Sequence, residues 1–221
     1  ARPKPDTTAP LPDTNNIQTP AVTEEGPSFG KGKESRELVV ENELMRIGFS
    51  TLGGQPAWVE LKKHRDQDSN LVRLASSEFD QFSYAINTGT NQSAQIAELV
   101  FDSIAVSTGP GGEKIVSIPL SSGDSGSTAP AIVHQYIIPA DDYMIGFNIT
   151  VSRADRLFTQ SVMNFIWQNR AINLEKDLAY EKQQSQIGYV LDGDFDYHTI
   201  GMRSSRELND PVKWVAVKQQ F

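Results

Sequence analysis

The chain has 221 residues, and its 20 Lys and Arg against 28 Asp and Glu leave a formal net charge of -8. That balance argues against a nucleic-acid binder, which needs Lys and Arg to neutralise phosphate, and against adhesion to anionic lipid through a general basic surface. The absence of cysteine excludes thiol catalysis, thiolate zinc sites and disulfides, and no run reaches the roughly 18 apolar residues of a membrane span.

Composition shifts along the chain. Pro3, Pro5, Pro10, Pro12, Pro20 and Pro27 crowd the start, where Phe29 is the sole aromatic before residue 36. Proline removes the N–H that ladders need, and few apolar groups are present to offset chain ordering. Residues 1–36 therefore read as an extended proline-rich tether, and residues 37–221 as one domain.

Period-two patterning dominates that domain. Met45, Ile47 and Phe49 alternate with Arg46, Gly48 and Ser50; after Gly53-Gly54, Ala57, Val59 and Leu61 alternate with Trp58, Glu60 and Lys62. This predicts a strand, a glycine turn and a returning strand. Phe82, Tyr84 and Ile86 predict another strand, and Val100, Ile104 and Val106 one more before the turn Gly109-Pro110-Gly111-Gly112. Residues 115–120 form a short strand, and 121–130 a Ser/Gly-rich loop. Residues 132–138 and 143–151 predict a pair around Pro139-Ala140-Asp141-Asp142, and 162–167 a further strand. The one helical signal has Asn173 as N-cap, with Leu174, Leu178 and Glu181 spaced to about Gln184. Residues 187–191 and 195–199 return to strand. Roughly a dozen or more strands with polar turns predict an all-β chain: a large sandwich of two antiparallel sheets with few helices near the C-terminus.

No catalytic constellation emerges. Gly123-Asp124-Ser125-Gly126 matches the string around the nucleophile of trypsin-like proteases, but a serine nucleophile needs a positioned base. The only upstream histidine is His64, in the charged Lys63-His64-Arg65. Asp192, Asp194 and Asp196 would set three carboxylates on one strand face, as a hard cation requires. Tyr197 and Arg203 stand where a calcium loop needs glycine and glutamate, so an acidic turn is the plainer reading. His64, His134 and His198 lack short ligand spacing, and His134 alternates with Ile132 and Tyr136 as a packed histidine does. Trp58, Trp167 and Trp214 read as core residues, with a stacking platform for sugar or peptide as the lesser alternative.

Three segments carry a resemblance. Val40-Glu41-Asn42-Glu43-Leu44-Met45, continuing into Thr51-Leu52-Gly53-Gly54 and Val59-Glu60-Leu61, resembles the opening of the large periplasmic domain of YidC-type bacterial membrane protein insertases. Tyr180-Glu181-Lys182 resembles a tyrosine- and lysine-rich stretch late in that domain. Residues 213–221, Lys213-Trp214-Val215-Ala216-Val217-Lys218-Gln219-Gln220-Phe221, resemble its end. The phrasing of the opening is similar to that of Bacteroidetes-type members.

The resemblance implies a galactose-mutarotase-like β-supersandwich at the periplasmic face of a Gram-negative inner membrane. A transmembrane helix would precede Ala1, and the membrane core would follow Phe221. It implies a non-catalytic accessory domain with no cofactor and no metal, monomeric in isolation. It would assist insertion and folding of inner-membrane proteins with or without the Sec translocon. Its partners would be Sec translocon auxiliary subunits and nascent membrane proteins. Trp214, Val215, Val217, Gln219, Gln220 and Phe221 would form a membrane-proximal segment that packs on the domain. The alternative is a free-standing periplasmic carbohydrate-binding or mutarotase-like sugar-converting protein, which needs a histidine and a glutamate facing one another across a sugar.

Overall fold

The computed structural model describes residues 29–30, 33–123, 129–174, 176–200 and 205–218. In chain order the elements are β1 (Glu37–Glu41), β2 (Met45–Ser50), β3 (Gln55–Arg65), β4 (Leu71–Leu74), β5 (Gln81–Ser83), β6 (Ala85–Gly89), β7 (Gln92–Gln95), β8 (Ala105–Thr108), β9 (Lys114–Leu120), β10 (Ile132–Ile138), β11 (Gly146–Val151), α1 (Ala154–Leu157), β12 (Ile166–Gln168), α2 (Leu178–Gln184), β13 (Gln186–Leu191), β14 (Asp194–Thr199) and β15 (Val212–Lys218). Two four-stranded antiparallel meanders, β1-β2-β3-β4 and β11-β10-β9-β8, make the two sides of a sandwich. Smaller pairs, β12-β5 and β6-β7, flank it, and β14-β13-β15 forms a separate three-stranded sheet. The all-β reading is correct.

Alternation explains why the meanders pack. Met45, Ile47 and Phe49 of β2 are buried. On the other side Val116, Ile118 and Leu120 of β9 lie in register with Tyr136, His134 and Ile132 of β10, all buried. A slip of one residue would turn this whole set to solvent, so the register is firmly specified. One aromatic contact joins the sides, Phe49 lying 4.8 Å from Tyr136, and Tyr136 in turn stacks at 4.7 Å on Phe147, its neighbour on β11 within the same sheet.

The glycine turn between β2 and β3 is a structural joint. Gly53 and Gly54 have φ of +72° and +60°, a region open to glycine. A β-carbon on Gly54 would stand 2.9 Å from the Phe101 ring. The Gly54 carbonyl accepts hydrogen bonds from His134 and from the Tyr136 hydroxyl, so the turn is bonded directly to β10.

Anchoring begins before β1. Phe29 is buried in the same core, and Lys33 pairs with Asp102. Burial works against ionisation of Asp102, but Lys33 and the Ser121 hydroxyl and amide outweigh it and hold the carboxyl below its usual range.

Several elements depart from expectation. The strand predicted through Phe82, Tyr84 and Ile86 breaks at Tyr84: β5 pairs with β12, and β6 turns to pair with β7. Of residues 100–106, only 105 and 106 join β8, while Val100 makes an isolated bridge to Leu52. Within 162–167, only Ile166 and Trp167 pair, as part of β12. The helix starts at Leu178, capped by Asp177, whose Oδ1 accepts from the amides of Ala179 and Tyr180. Asn173 is not the cap. The next amide, Leu174 N–H, donates instead to the buried Glu181 carboxylate at 3.0 Å.

Candidate functional site

The most buried polar cluster centres on His134. Its Nδ1 lies 2.9 Å from the Gly54 carbonyl, which can only accept, so Nδ1 carries the proton. Nε2 then accepts from the Tyr84 hydroxyl at 2.7 Å. Burial pushes the imidazole pKa down to about 4, against the smaller opposing pull of the Gly54 carbonyl. Phe101 and Phe147 close the sides at 4.7 and 5.4 Å between ring centroids. A neutral imidazole sealed in this way is a structural joint. It has no access to a sugar, which removes His134 as an acid–base residue for the carbohydrate reading.

A cavity of about 300 Å³ opens where β6, α1 and the end of β10's loop converge. The exposed Arg153 and Arg156 line it together with the apolar Leu157, Ala131 and Phe29 and the buried Ser122. Its lining contains no carboxylate or histidine.

The C-terminal sheet is built differently. In its register, Val190 opposes Phe195 on one side and Trp214 on the other, while Gly188 opposes Tyr197 and Ala216. These residues therefore share one face. Phe195, Tyr197 and Trp214 are 61%, 50% and 47% exposed. Phe195 lies 5.9 Å from Trp214 and 6.3 Å from Tyr197, so the rings form a continuous strip. A side chain on Gly188 would meet the Phe195 ring at 3.0 Å; its lack of one lets the rings lie over the strand. Asp194 and Asp196 alternate to the opposite face, where the Tyr189 hydroxyl and Arg206 bond Asp196. The Tyr197 amide, then that hydroxyl and Arg206, hold the Asp196 carboxyl below its usual range.

The residues singled out from sequence fall as follows. Trp214, Val215 and Val217 lie on β15, which is bonded along its length to β13. Gln219, Gln220 and Phe221 lie outside the described residues, as do residues 124–126 of the Gly-Asp-Ser-Gly string. Asp192 sits in the β13–β14 turn with φ of +49°, while Asp194 and Asp196 belong to β14. Among the described residues no group of three His, Asp or Glu is placed to hold a metal. His64 lies on β3, its ring edge-on to Tyr143 at 5.8 Å.

The tryptophans correct their core reading. Trp167 and Trp214 are about half exposed. Trp58 lies on the sheet surface, its indole N–H donating to Glu37 at 2.8 Å and the Arg73 guanidinium 4.3 Å above its ring. Tryptophan has a polar handle, and each of these rings takes a boundary position rather than an interior one. Phe195 and Tyr197 were not singled out as surface residues. Their signal was present in Asp194-Phe195-Asp196-Tyr197, where aromatic and acidic residues alternate, so one face must be aromatic.

Among the described residues no helix is long and apolar enough to cross a membrane, which says nothing of spans made from strands. No solved structure matches the chain at a significant level. Similar proteins include the membrane protein insertase YidC of Phocaeicola vulgatus, 23% identical over 197 residues, covering 87% of this chain and 30% of that protein. The proteins of the same name from Bacteroides fragilis and Chlorobium phaeovibrioides are 25% and 24% identical, covering 88% of this chain each and 30% and 34% of those proteins. The chain thus spans about a third of the length of these curated relatives. The family model for the YidC periplasmic domain matches residues 37–221, continuously from β1 through β15, and the chain belongs to that family.

Proposed function

We propose that this domain is a non-enzymatic, protein-interaction part of a membrane protein insertase, displayed on the periplasmic face of a bacterial inner membrane. The observation that carries this reading is the family match over residues 37–221, beside relatives named as membrane protein insertases. The burial of His134, bonded to Gly54 and Tyr84, gives that histidine a structural part in the domain. Residues 1–36 act as a proline-rich tether, whose last part is pinned by Phe29 and Lys33. The segment Trp214, Val215, Val217, Gln219, Gln220, Phe221 fixes the orientation of the domain toward the membrane, and its β15 portion is tied in by β13. The partners are nascent membrane proteins and auxiliary subunits of the Sec translocon, and the domain assists insertion and folding with or without that translocon.

Photo-crosslinkable residues at exposed positions of the full-length parent test this during insertion. Adducts with nascent membrane proteins or translocon auxiliary subunits are expected. The absence of adducts from every exposed position, with the fold intact, would contradict it. The parent reading frame offers a simpler check. It is expected to enter an apolar span within about 30 residues after Phe221, and a polar continuation there would contradict the reading.

A further inference from the structure

We propose that the aromatic face of β13–β15 docks on the lipid interface of the membrane; this rests on the insertase reading above. Four observations lead there. First, Phe195, Tyr197 and Trp214 project from one face and are about half exposed or more, so the strip is uncovered among the described residues. Second, charge is segregated by register. Asp194 and Asp196 point to the other face, Lys218, in register with Gln186, lies on the aromatic side, and Lys213 sits in the bulge beside Trp214, so the charges near this side are cationic. In a chain of net charge -8 this face is thus free of carboxylates within its strands, which lets it approach lipid headgroups. Third, neither the Tyr197 hydroxyl nor the Trp214 indole N–H has a hydrogen-bond partner among the described residues. An aromatic body with an unpartnered polar tip suits the boundary between acyl chains and headgroups, where Trp and Tyr concentrate.

The fourth observation is size. Three strands of six or seven residues give a face of about 300 Å², from strand spacing and rise, against the roughly 800 Å² per partner of a stable protein interface. A second copy of the chain would gain too little area there. A bilayer asks for no matching surface, only apolar rings and few charges. A tethered domain also needs little intrinsic affinity, because attachment raises its local concentration at the surface.

The test uses the 221-residue chain held on phosphatidylcholine vesicles through an N-terminal histidine tag and a nickel-chelating lipid. Trp58→Phe and Trp167→Phe leave Trp214 as the sole tryptophan. Lipids brominated high on the acyl chain should quench its emission by about twofold relative to unbrominated vesicles, as expected for an interfacial indole. Adding Phe195→Ser and Tyr197→Ser should abolish the quenching. Each variant is to match the parent in circular dichroism. Hydrogen exchange on the unsubstituted chain gives a second reading: amides of β14 and β15 should slow on vesicles while those of β1 do not. Equal emission in both lipids would overturn the proposal, as would quenching that survives both serine substitutions, or a vesicle-independent dimer abolished by them. Such a failure leaves the insertase reading standing, since crosslinking in the full-length parent tests that separately.

Discussion

The sandwich and the C-terminal sheet use the same alternation and reach opposite results. In β9 and β10 the apolar face meets a second sheet, so Ile118, Ile132, Tyr136 and even His134 leave solvent completely or nearly so. In β13–β15 the aromatic face meets no second sheet among the described residues, and Phe195, Tyr197 and Trp214 stay about half exposed or more. Hydrophobic burial contributes roughly 1.5–3 kcal/mol per large side chain in the first case and a fraction of that in the second. The sandwich side chains maintain the fold. The C-terminal face is not needed for that, which makes it available to a partner.

Equivalent substitutions in the two regions sharpen the contrast. Phe49→Ala, in the wholly buried β2 position against Tyr136, is expected to cost about 3–5 kcal/mol by removing a core ring. Gly54→Ala comes next. It forces a β-carbon into the Phe101 ring at positive φ and is expected to cost about 2 kcal/mol or more. Chemical denaturation of the chain checks both.

His134→Phe should cost about 2 kcal/mol at neutral pH, because the Tyr84 hydroxyl loses its acceptor and the Gly54 carbonyl one of its donors. The pH dependence is more specific. The folded pKa of His134, about 4, lies below the ordinary 6.5. Between those values the unfolded chain takes up a proton that the folded chain does not. Stability therefore falls as pH drops from 6.5 towards 4, by roughly 3 kcal/mol in full. His134→Phe is expected to flatten that part of the curve. Asp102, Asp196 and Glu41, whose carboxyls are also held low, lose their contributions towards more acid pH, so the difference in denaturant midpoint between parent and His134→Phe across pH 7 to 4.5 isolates the histidine. An unchanged slope in the variant would refute the buried, neutral assignment.

The C-terminal substitutions should be mildest. Trp214→Ala removes a half-exposed ring packed on Phe195 and is expected to cost about 1 kcal/mol; Phe195→Ala should cost about 0.5 kcal/mol. Thermal midpoints compare them with Phe49→Ala.

The sandwich was largely legible in the amino-acid order, because one dry face against one wet face writes period two into the residues. β2, β9 and β10 follow directly from it, and Gly53-Gly54 marks its turn correctly. Legibility fails where that condition fails. Gln92-Ser93-Ala94-Gln95 forms β7 with no apolar alternation, held by its pairing with β6. Val212-Lys213-Trp214-Val215-Ala216-Val217-Lys218 has apolar residues on both faces, so its strand character does not stand out. The α2 cap was misplaced because Asn173 and Asp177 are both good cap residues. The choice is made by Glu181, whose buried carboxylate takes the Leu174 amide and leaves the preceding segment unwound. The candidate site is half visible in the amino-acid order: the terminal Trp-Val-Ala segment carries the family resemblance, but its aromatic partners on β14 emerge only from the register.

If the sandwich maintains the fold and the C-terminal face docks, the two regions must differ in what they touch at the membrane. The most direct measurement places a photo-crosslinker in the full-length parent at Tyr197 on that face, and at Lys63 on the exposed end of β3. Docking of the C-terminal face on lipid predicts lipid adducts from position 197 and none from position 63. Adducts from position 63 alone would contradict it.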